Sequence, residues 1–404
     1  MNILLITDSY PPEIRSASLM MSELARGLTR NGHRVSVITS IPKYNLIEGI
    51  SPSKDLFSLK EEEGIRVLRL QTPPLHNVSH LKRGFGQMVL PVIFSLAGLF
   101  IGRVDASIVY SPPLPLGLTA FFLKLLKGAN YIFNVQDLFP QNAIDLKALK
   151  SPYLIKIFRG MERFIYRGAR YITVHSSGNK DFIAGRGIKS EIIKVVHNWV
   201  DLAVFKEEKG KFDLGIGVDL RGKFVALFAG VMGYAQDMDV IVETARRLEK
   251  YPDIVFLLVG EGSQKLKIAA RMKEFSLKNI ILHPFIPLER YPDLVAICDV
   301  GLVTLKQSMR TPVVPSKILG YMAAGKPIIG SLNKESEAND IIREAGCGWS
   351  EKIMGPPEMA SAVLRLYNDS TLKERMGWNG REYVKQHFSM DGALAAYEQL
   401  LQKM

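Results

Sequence analysis

The sequence predicts an α/β protein with two Rossmann-like, doubly wound domains that face a cleft. Short apolar runs, as expected for buried parallel strands, alternate with stretches of helical periodicity along most of the chain. A polar, glycine-rich stretch at 202–222 interrupts this alternation, which then starts again. The length of 404 residues fits two domains of similar size. We therefore expect domains at 1–200 and 201–389, with ligands bound where the parallel strands end.

The first domain begins with an apolar strand at 2–7, which a loop at Pro11-Pro12 separates from a helix. Apolar side chains at helical spacing between residues 17 and 28 predict that helix, and Asn31-Gly32 ends it. Runs rich in β-branched and aromatic residues predict further strands at 35–39, 65–70, 106–110, 131–135, 171–174 and 193–196.

The second domain repeats the pattern after residue 222. Strands are predicted at 224–229, 254–259, 280–282, 300–303 and 327–330, and helices at 239–248, 265–274 and 317–323. The tail from Pro357 onward has helical periodicity throughout.

The composition is that of a globular protein, with 47% hydrophobic and 23% charged residues, which excludes a disordered or fibrous chain. The two cysteines, Cys298 and Cys347, cannot form a disulfide framework, and no Cys/His cluster suggests zinc. No basic segment with a cleavage site precedes the first strand, so we expect no secretory signal and a reducing, cytoplasmic location.

The positive charge is concentrated in the first domain. The chain has a net charge of +12, of which residues 1–200 carry +11 and residues 201–404 carry +1. This asymmetry indicates an anionic partner, either nucleic acid or an acidic membrane surface, unless the protein is simply basic overall. No basic run is interleaved with aromatic side chains as in nucleic-acid-binding modules, so nucleic acid is disfavoured.

An uncharged segment of 19 residues, 84–102, lies between Lys82-Arg83 and Arg103. It is marginal in length for a membrane-spanning helix, and Pro91 with four glycines lowers its helix propensity. Basic residues beside an apolar stretch favour a segment that lies in the interface of an anionic bilayer. The alternative is a buried core helix of the first domain.

Two glycine-rich turns follow strands of the second domain, one with Gly230 and Gly233 and the other with Gly260-Glu261-Gly262. Glycine lets a phosphate approach the backbone, and a carboxylate just past a strand end, such as Glu261, commonly binds a ligand hydroxyl. The alternative is that these glycines only form tight turns, with Ser263 as a helix N-cap. Neither turn has the spacing Gly-x-Gly-x-x-Gly, which disfavours a nicotinamide-dependent enzyme.

The most specific signal is the run Pro315-Ser316-Lys317 at a predicted helix start. Proline at a helix entry leaves backbone N–H groups free. Lys317 adds a positive charge at the end of the helix where the helix dipole disfavours it, and a bound diphosphate would explain that conflict. The alternative is that Lys317 reaches into solvent.

These motifs, with several in the first domain, resemble those of the family 4 glycosyltransferases of the GT-B fold. The sequence is most similar to the branch that includes bacterial fucosyl- and N-acetylfucosaminyltransferases of surface polysaccharide synthesis. The resemblance covers nearly the whole chain, and the order and spacing of the motifs argue against chance. The motifs are Tyr10-Pro11-Pro12-Glu13-Ile14, Asn31-Gly32-His33, Ser111-Pro112-Pro113, Gln136-Asp137-Leu138-Phe139-Pro140, His197-Asn198-Trp199-Val200-Asp201, 230–239 with Gln236, and the Pro-Ser-Lys run.

The resemblance implies a retaining, metal-independent transfer of a sugar, such as a 6-deoxy or N-acetylated hexose. The donor would be a nucleoside-diphosphate sugar of the UDP or GDP type, with no further cofactor, and Lys317 would act in catalysis by stabilising the departing diphosphate. The donor-binding residues implied on the second domain are Gly230, Gly233, Gln236, Gly260, Glu261, Gly262, Phe285, Ile286, Pro287, Ser316, Lys317 and Ile318.

The resemblance also implies that the first domain binds the acceptor and that the last helix, within 390–404, packs back on it. Asp137, at the end of a central strand, is the implied catalytic residue that orients a hydroxyl. The alternative for Asp137 is that it only caps the following helix. The implied acceptor-binding residues are Pro12, Arg15 and Ser16.

The sequence departs from the family pattern at several positions. Arg15 lies where many members have glycine, so it either binds an anionic acceptor or fills part of the cleft. Val231 and Gln236 replace the usual Arg and Lys, which leaves more of the diphosphate charge to the lysine of the Pro-Ser-Lys run. The two glutamates of the usual Glu-x7-Glu motif are Pro312 and Gly320, which shifts ribose recognition to the carboxylate in the second glycine turn.

We therefore expect a peripheral glycosyltransferase on the inner face of the cell membrane, attached through 84–102 and its basic first domain. It would extend a lipid-linked saccharide in surface polysaccharide or lipopolysaccharide assembly. One alternative is a GT-B nucleotide-sugar 2-epimerase, which needs no lipid. The other is a non-catalytic nucleotide-sugar- or lipid-binding subunit, which the altered phosphate positions would favour.

Overall fold

The computed structural model contains two largely parallel sheets, each combined with helices, and confirms the predicted α/β class. It describes residues 1–43, 46, 53–75, 78–205, 219–350 and 354–404. The chain divides into two units, Met1–Asn198 with Asp391–Met404, and Trp199–Met390. Residues 206–218, most of the linker predicted at 202–222, lie outside the described residues.

The first unit contains an eight-stranded sheet, and from β4 onward a helix follows each strand except the last. Its strands are β1 (Asn2–Ile6), β2 (Arg34–Ser40), β3 (Phe57–Glu62), β4 (Ile65–Leu70), β5 (Ala106–Ser111), β6 (Asn130–Val135), β7 (Tyr171–Val174) and β8 (Ile193–Val195). Its helices are α1 (Ser16–Arg30), α2 (His80–Leu99), α3 (Leu116–Lys127), α4 (Gln141–Asp145), α5 (Pro152–Gly168) and α6 (Ser177–Ala184). The strand order β3-β4-β2-β1-β5-β6-β7-β8 reverses direction between β1 and β5, as in a doubly wound sheet.

The second unit contains a six-stranded parallel sheet in the order β11-β10-β9-β12-β13-β14. Its strands are β9 (Phe224–Ala229), β10 (Ile254–Val259), β11 (Ile280–His283), β12 (Val300–Thr304), β13 (Ile328–Ser331) and β14 (Gly348–Trp349). Its helices are α7 (Met238–Arg247), α8 (Lys265–Glu274), α9 (Tyr291–Ala296), α10 (Lys317–Ala323), α11 (Ala338–Ala345), α12 (Pro356–Asn368) and α13 (Ser370–His387). The central strands β9 and β10 are completely buried, which explains why they read as continuous apolar runs.

Two strands were not predicted, β3 and β14, and both lie at sheet edges. β3 pairs antiparallel with β4, and its sequence Phe-Ser-Leu-Lys-Glu-Glu is mostly exposed. An edge strand exposed on both faces needs no apolar run, and charged residues on it discourage pairing with another chain. β14 is only two residues long, which is too short for any periodicity.

The last helix, α14 (Met390–Leu401), belongs to the first unit although its sequence follows the second. The Tyr397 hydroxyl accepts a hydrogen bond from the side chain of Asn134 in β6 and lies 3.3 Å from the Thr173 hydroxyl in β7. The His33 imidazole lies 2.9 Å from the Glu398 carboxylate on the same helix. Polar contacts to two neighbouring strands therefore fix α14 on the sheet.

The segment predicted at 84–102 forms most of α2, which has one buried side and one exposed apolar side. One side packs into the core of the first unit through Leu90 and Phe94, which are completely buried. The opposite side carries a continuous apolar stripe with exposed side chains, Phe85, Met88, Val92, Leu96 and Leu99. None of the helices in the described part of the chain combines the length and apolar character needed to cross a bilayer.

Tyr321 of α10 joins that helix to the central strand of the second sheet. Its hydroxyl donates to the Leu227 carbonyl and accepts from the Ala229 amide, both at 3.0 Å. The ring lies against Gly301 of β12, where a Cβ atom would be 2.3 Å from the aromatic carbons. Glycine at 301 is therefore required for the ring to reach β9.

We predict that Gly301→Ala destabilises the second unit by about 1–3 kcal/mol, because the methyl group must displace a ring held by two hydrogen bonds. Thermal unfolding measures the loss. Gly160→Ala in α5 is the matched control, since a Cβ there has no atom within 4 Å and alanine favours a helix. Equal melting temperatures for Gly301→Ala and the native chain would contradict the packing described above.

Candidate functional site

The two glycine turns of the second unit lie back to back and are joined by backbone hydrogen bonds. The Met232 amide donates to the Glu261 carbonyl at 2.8 Å, and the Gln264 amide donates to the Met232 carbonyl at 2.9 Å. A Cβ on Gly260 would lie 1.9 Å from the Gly230 carbonyl oxygen. Glycine at 260, with φ of 151°, is thus explained by contact between the two backbones, without reference to a ligand.

Gly230 has different surroundings from Gly260, because a side chain at position 230 would face the charged end of Lys317. A Cβ there would lie 3.4 Å from Cε of Lys317 and 3.7 Å from its Nζ. Gly230, with φ of 134°, follows β9 directly. The first glycine turn therefore leaves room for the Lys317 ammonium at the carboxyl end of the central strand.

Lys317 is held above the ring of Phe228 in β9, with Nζ 4.4 Å from the ring centroid. Tyr321, four residues later on the same face of α10, anchors the helix to β9 and so fixes this position. Burial lowers the pKa of Lys317 to about 8, and no carboxylate in the described residues offsets that effect. The site thus presents a partly buried cation with an aromatic contact and no counter-ion from the described chain.

The other residues of the predicted donor site lie around these turns with varied surroundings. The Gln236 side chain accepts from the Gly233 amide at 3.0 Å and so closes the first turn. Glu261 pairs with Lys265 one helical turn later and remains partly exposed. Phe285, Ile286 and Pro287 form the half-buried loop after β11.

At α10, Ser316 is exposed and precedes the first helical residue. The Ile318 side chain is completely buried, and its amide donates to the Pro315 carbonyl. Ile318 thus anchors the first turn of α10, next to Lys317, in the core. The absence of the usual glutamate at 320 has a steric reason. A Cβ on Gly320 would lie 2.5 Å from the Tyr291 hydroxyl, which leaves no room for a longer side chain.

In the first unit, a buried charged cluster follows β1. Nη1 of Arg15 lies 3.0 Å from Oδ2 of Asp8 and 3.7 Å from Oε2 of Glu13. Glu13 also accepts from the Ser9 hydroxyl and the Lys43 amide, at 2.8 and 2.9 Å. Arg15 is therefore occupied by carboxylates, and an anionic acceptor would have to compete with Asp8 for it.

The neighbouring predicted acceptor residues flank this cluster. Pro12 is half-buried, and Ser16 is exposed as the first residue of α1. The outer oxygen of Asp8, Oδ1, is buried without a hydrogen bond among the described residues. A buried carboxylate oxygen without a hydrogen bond is costly in a folded protein, so this atom favours a ligand or water hydroxyl as its partner.

Asp137 follows β6, which β5 separates from β1 in the sheet. Burial raises the pKa of its carboxyl group. Burial, and next the charge of Asp137, raise the pKa of the Tyr110 phenol at the end of β5. The charge of Arg15 lowers this pKa, and the charge of Asp8 raises it. The carboxyl ends of β1, β5 and β6 thus bring Asp137, Asp8 and Arg15 each within electrostatic range of the Tyr110 phenol.

A chain of amide side chains links this turn to α14. Asn134, which binds the Tyr397 hydroxyl, accepts from Nε2 of Gln136 at 2.8 Å. Oε1 of Gln136 accepts from Nδ2 of Asn198 at 2.8 Å. Gln136 precedes Asp137, so the last helix of the chain helps to fix the turn that carries the Asp137 carboxylate.

Several of these residues were missed by the sequence analysis. Asp8 had a usable signal, because it comes directly after a buried strand, where ligand-binding side chains of parallel sheets lie. Tyr110 and Phe228 had none, since both are part of apolar strands and differ from core residues only through their tertiary neighbours. Among the described residues, no group of three or more His, Cys, Asp or Glu side chains is arranged to hold a metal ion.

Comparison with known proteins assigns each half of the chain to a glycosyltransferase family. Residues 17–199 match the glycosyl transferase 4-like domain, and residues 218–383 match the glycosyl transferases group 1. The two matches follow one another along the chain.

Individual relatives agree with this assignment. The chain is 26% identical over 314 residues to the probable glycosyltransferase WbjE of Pseudomonas aeruginosa, covering 76% of this chain and 77% of that protein. It is 23% identical over 406 residues to the putative colanic acid biosynthesis glycosyl transferase WcaI of Escherichia coli, covering 98% of both. A crystal structure of Anabaena HepE in complex with UDP-glucose has the same fold, with a TM-score of 0.73, 16% identity and full coverage of both chains. The chain belongs to the family 4 glycosyltransferases of the GT-B fold.

Proposed function

We propose that this protein is a retaining glycosyltransferase that moves a sugar from a nucleoside-diphosphate sugar to a lipid-linked saccharide. The observation that carries the proposal is the Lys317 ammonium, partly buried above Phe228 beside Gly230 with no counter-ion from the described chain. A charge that is partly removed from water is costly unless a partner compensates it. A diphosphate supplies two adjacent anionic groups that match this need.

The diphosphate gains negative charge as the glycosidic bond breaks, so a fixed cation stabilises the transition state more than the ground state. Lys317 is fixed because Tyr321 anchors its helix to β9. The remaining donor contacts would come from Gly230, the partly exposed Glu261 carboxylate and the loop at 285–287. HepE binds UDP-glucose on the same fold, which supports a nucleotide-sugar donor of the UDP or GDP type.

The acceptor would bind to the first unit. Burial raises the pKa of Asp137, and Asp137, Asp8 and Arg15 each act electrostatically on Tyr110 between them. We assign Asp137 to orient the attacking hydroxyl, with Asp8, whose Oδ1 has no hydrogen bond among the described residues, as a further acceptor for a sugar hydroxyl. Arg15 then serves to hold Asp8, with which it already pairs at 3.0 Å.

The glycan is proposed from the named relatives and from α2. WcaI is named for colanic acid biosynthesis, which supports a role in surface polysaccharide assembly with a sugar such as a 6-deoxy or N-acetylated hexose. The exposed stripe of α2, with Val92 and Leu96 about 60% exposed, supports attachment to the inner face of the cell membrane. An acceptor with a lipid anchor would be found on that surface.

We predict that Lys317→Ala abolishes the rise in melting temperature that UDP or GDP causes in the native protein, and lowers turnover by about 100-fold or more. Native affinity should also fall above about pH 8, because Lys317 loses its proton there, whereas the variant should show no such decline. Lys334→Ala removes an exposed lysine of the same unit and is the control. Equal nucleotide stabilisation in Lys317→Ala would overturn the donor assignment.

Asp137→Asn should reduce sugar transfer by about 100-fold or more, because the lost carboxylate orients the acceptor hydroxyl. The rise in melting temperature caused by UDP or GDP should stay unchanged, because this carboxylate does not bind the donor. Transfer is followed as release of nucleoside diphosphate from a panel of UDP- and GDP-sugars with bacterial lipid extract as acceptor. Asp181→Asn, at an exposed position of α6, controls for loss of a carboxylate. A variant that retains full transfer would remove Asp137 from the mechanism.

For the membrane, Val92→Glu/Leu96→Glu should weaken binding to vesicles of bacterial lipid by about tenfold or more, since two apolar side chains become anionic. The control is Leu266→Glu/Trp378→Glu, which makes the same change at two exposed apolar positions of the second unit. Vesicle sedimentation measures both. Equal effects of the two pairs would show that the α2 stripe has no special role.

A further inference from the structure

The first unit has a groove on its surface between α3 and α5. It has a volume of about 380 Å³ and is lined by Phe121, Gly160, Arg163, Phe164, Arg167 and Gly168. The rings of Phe121 and Phe164 pack with centroids 4.5 Å apart. Gly160 has no atom within 4 Å of where a Cβ would lie, so the groove is open above its aromatic wall.

The groove is positively charged on one side. Arg163 and Arg167 line it, and Lys156 and Arg159 are exposed on the same helix. The only acidic residue of α5, Glu162, is buried and lies 3.6 Å from Arg186. Arg163 and Arg167 form no ion pair within the described part of the chain, so both guanidinium groups are available to an anion.

Exposed apolar side chains lie on the same two helices that form the groove. Tyr153, Leu154, Ile157 and Phe164 are exposed along α5, and Phe122, Leu125 and Leu126 are exposed on α3. Tyr153 and Leu125 each have about two thirds or more of their surface in solvent, at 73% and 67%. Exposed aromatic and aliphatic residues beside arginine and lysine are typical of a helix in the interface of an anionic bilayer.

We propose that the groove between α3 and α5 binds the phosphate headgroup of an acidic phospholipid, while the apolar side chains around it enter the bilayer. Guanidinium groups bind phosphate oxygens in pairs, and the Phe121–Phe164 wall accommodates the apolar part of the lipid next to the headgroup. The proposal rests on the membrane attachment in the proposed function and adds to it a lipid class and a binding site. It involves neither the α2 stripe nor the donor site.

The test uses the full-length protein with vesicles of phosphatidylcholine alone or mixed with phosphatidylglycerol. Arg163→Gln/Arg167→Gln should bind mixed vesicles about 25-fold more weakly than the native protein, at about fivefold for each lost charge. The matched control is Arg247→Gln/Arg375→Gln, which removes two exposed arginines from the second unit. It should bind like the native protein.

A second variant tests the groove without changing the charge. Gly160→Trp fills the open space, and tryptophan has a higher helix propensity than glycine, so the helix is retained. We expect this variant to lose most of the preference for phosphatidylglycerol over phosphatidylcholine. An unchanged preference in Gly160→Trp, or unchanged binding in the double arginine variant, would overturn the proposal.

Two further measurements distinguish a lipid groove from a site for free phosphate and from a protein interface. If the native protein binds inorganic phosphate without vesicles and the double arginine variant does not, while both bind mixed vesicles equally, the groove binds free phosphate and the lipid assignment is wrong. If the double arginine variant changes the oligomeric state in solution but not vesicle binding, the surface contacts a protein and the proposal fails. Stabilisation by UDP or GDP, measured on the same samples, reports the donor site separately, so failure of the proposed function and failure of the lipid groove can be told apart.

Discussion

The shared direction of the strands is the constraint on which both candidate sites depend. In a parallel sheet the carboxyl ends of neighbouring strands meet at one edge, and the loops that follow them are brought together there. In the first sheet this places Asp8 and Asp137 within electrostatic range of Tyr110, although more than a hundred residues separate Asp8 from the other two. In the second sheet it brings the Gly230 turn against the Gly260 turn.

Much of this could be predicted from the sequence, and the remainder depends on contacts that no local pattern encodes. β9 and β10 were predicted with their observed bounds because completely buried strands are uniformly apolar. β3 was missed because it is exposed, and α2 was divided between two interpretations because it has one buried and one exposed apolar side. Lys317 was found from its motif, but Phe228 could not be, because only the folded chain places that ring under the ammonium.

The two units treat buried charge in opposite ways. The first unit surrounds Arg15 with Asp8 and Glu13, and hydrogen bonds from Ser9 and Lys43 satisfy Glu13 further. In the described part of the second unit, Lys317 contacts the face of an aromatic ring and no carboxylate, and a ring stabilises a cation less than a carboxylate does. The first arrangement suits recognition of neutral hydroxyl groups, whereas the second is complete only when an anion binds.

The first unit consists of two stretches that are far apart in the sequence, 1–198 and 391–404, and this affects how the chain folds during synthesis. Residues 1–198 leave the ribosome long before Tyr397, Leu400 and Leu401, which are buried against that unit in the finished protein. Until then Asn134 and Thr173 lack the Tyr397 hydroxyl, with which both form hydrogen bonds in the finished protein, and the apolar surface under α14 stays uncovered. The second unit can fold in the meantime, since domains generally fold as units during translation. The unit made first is therefore finished last, and a chain truncated before residue 390 would keep an open, aggregation-prone surface that quality-control proteases could recognise.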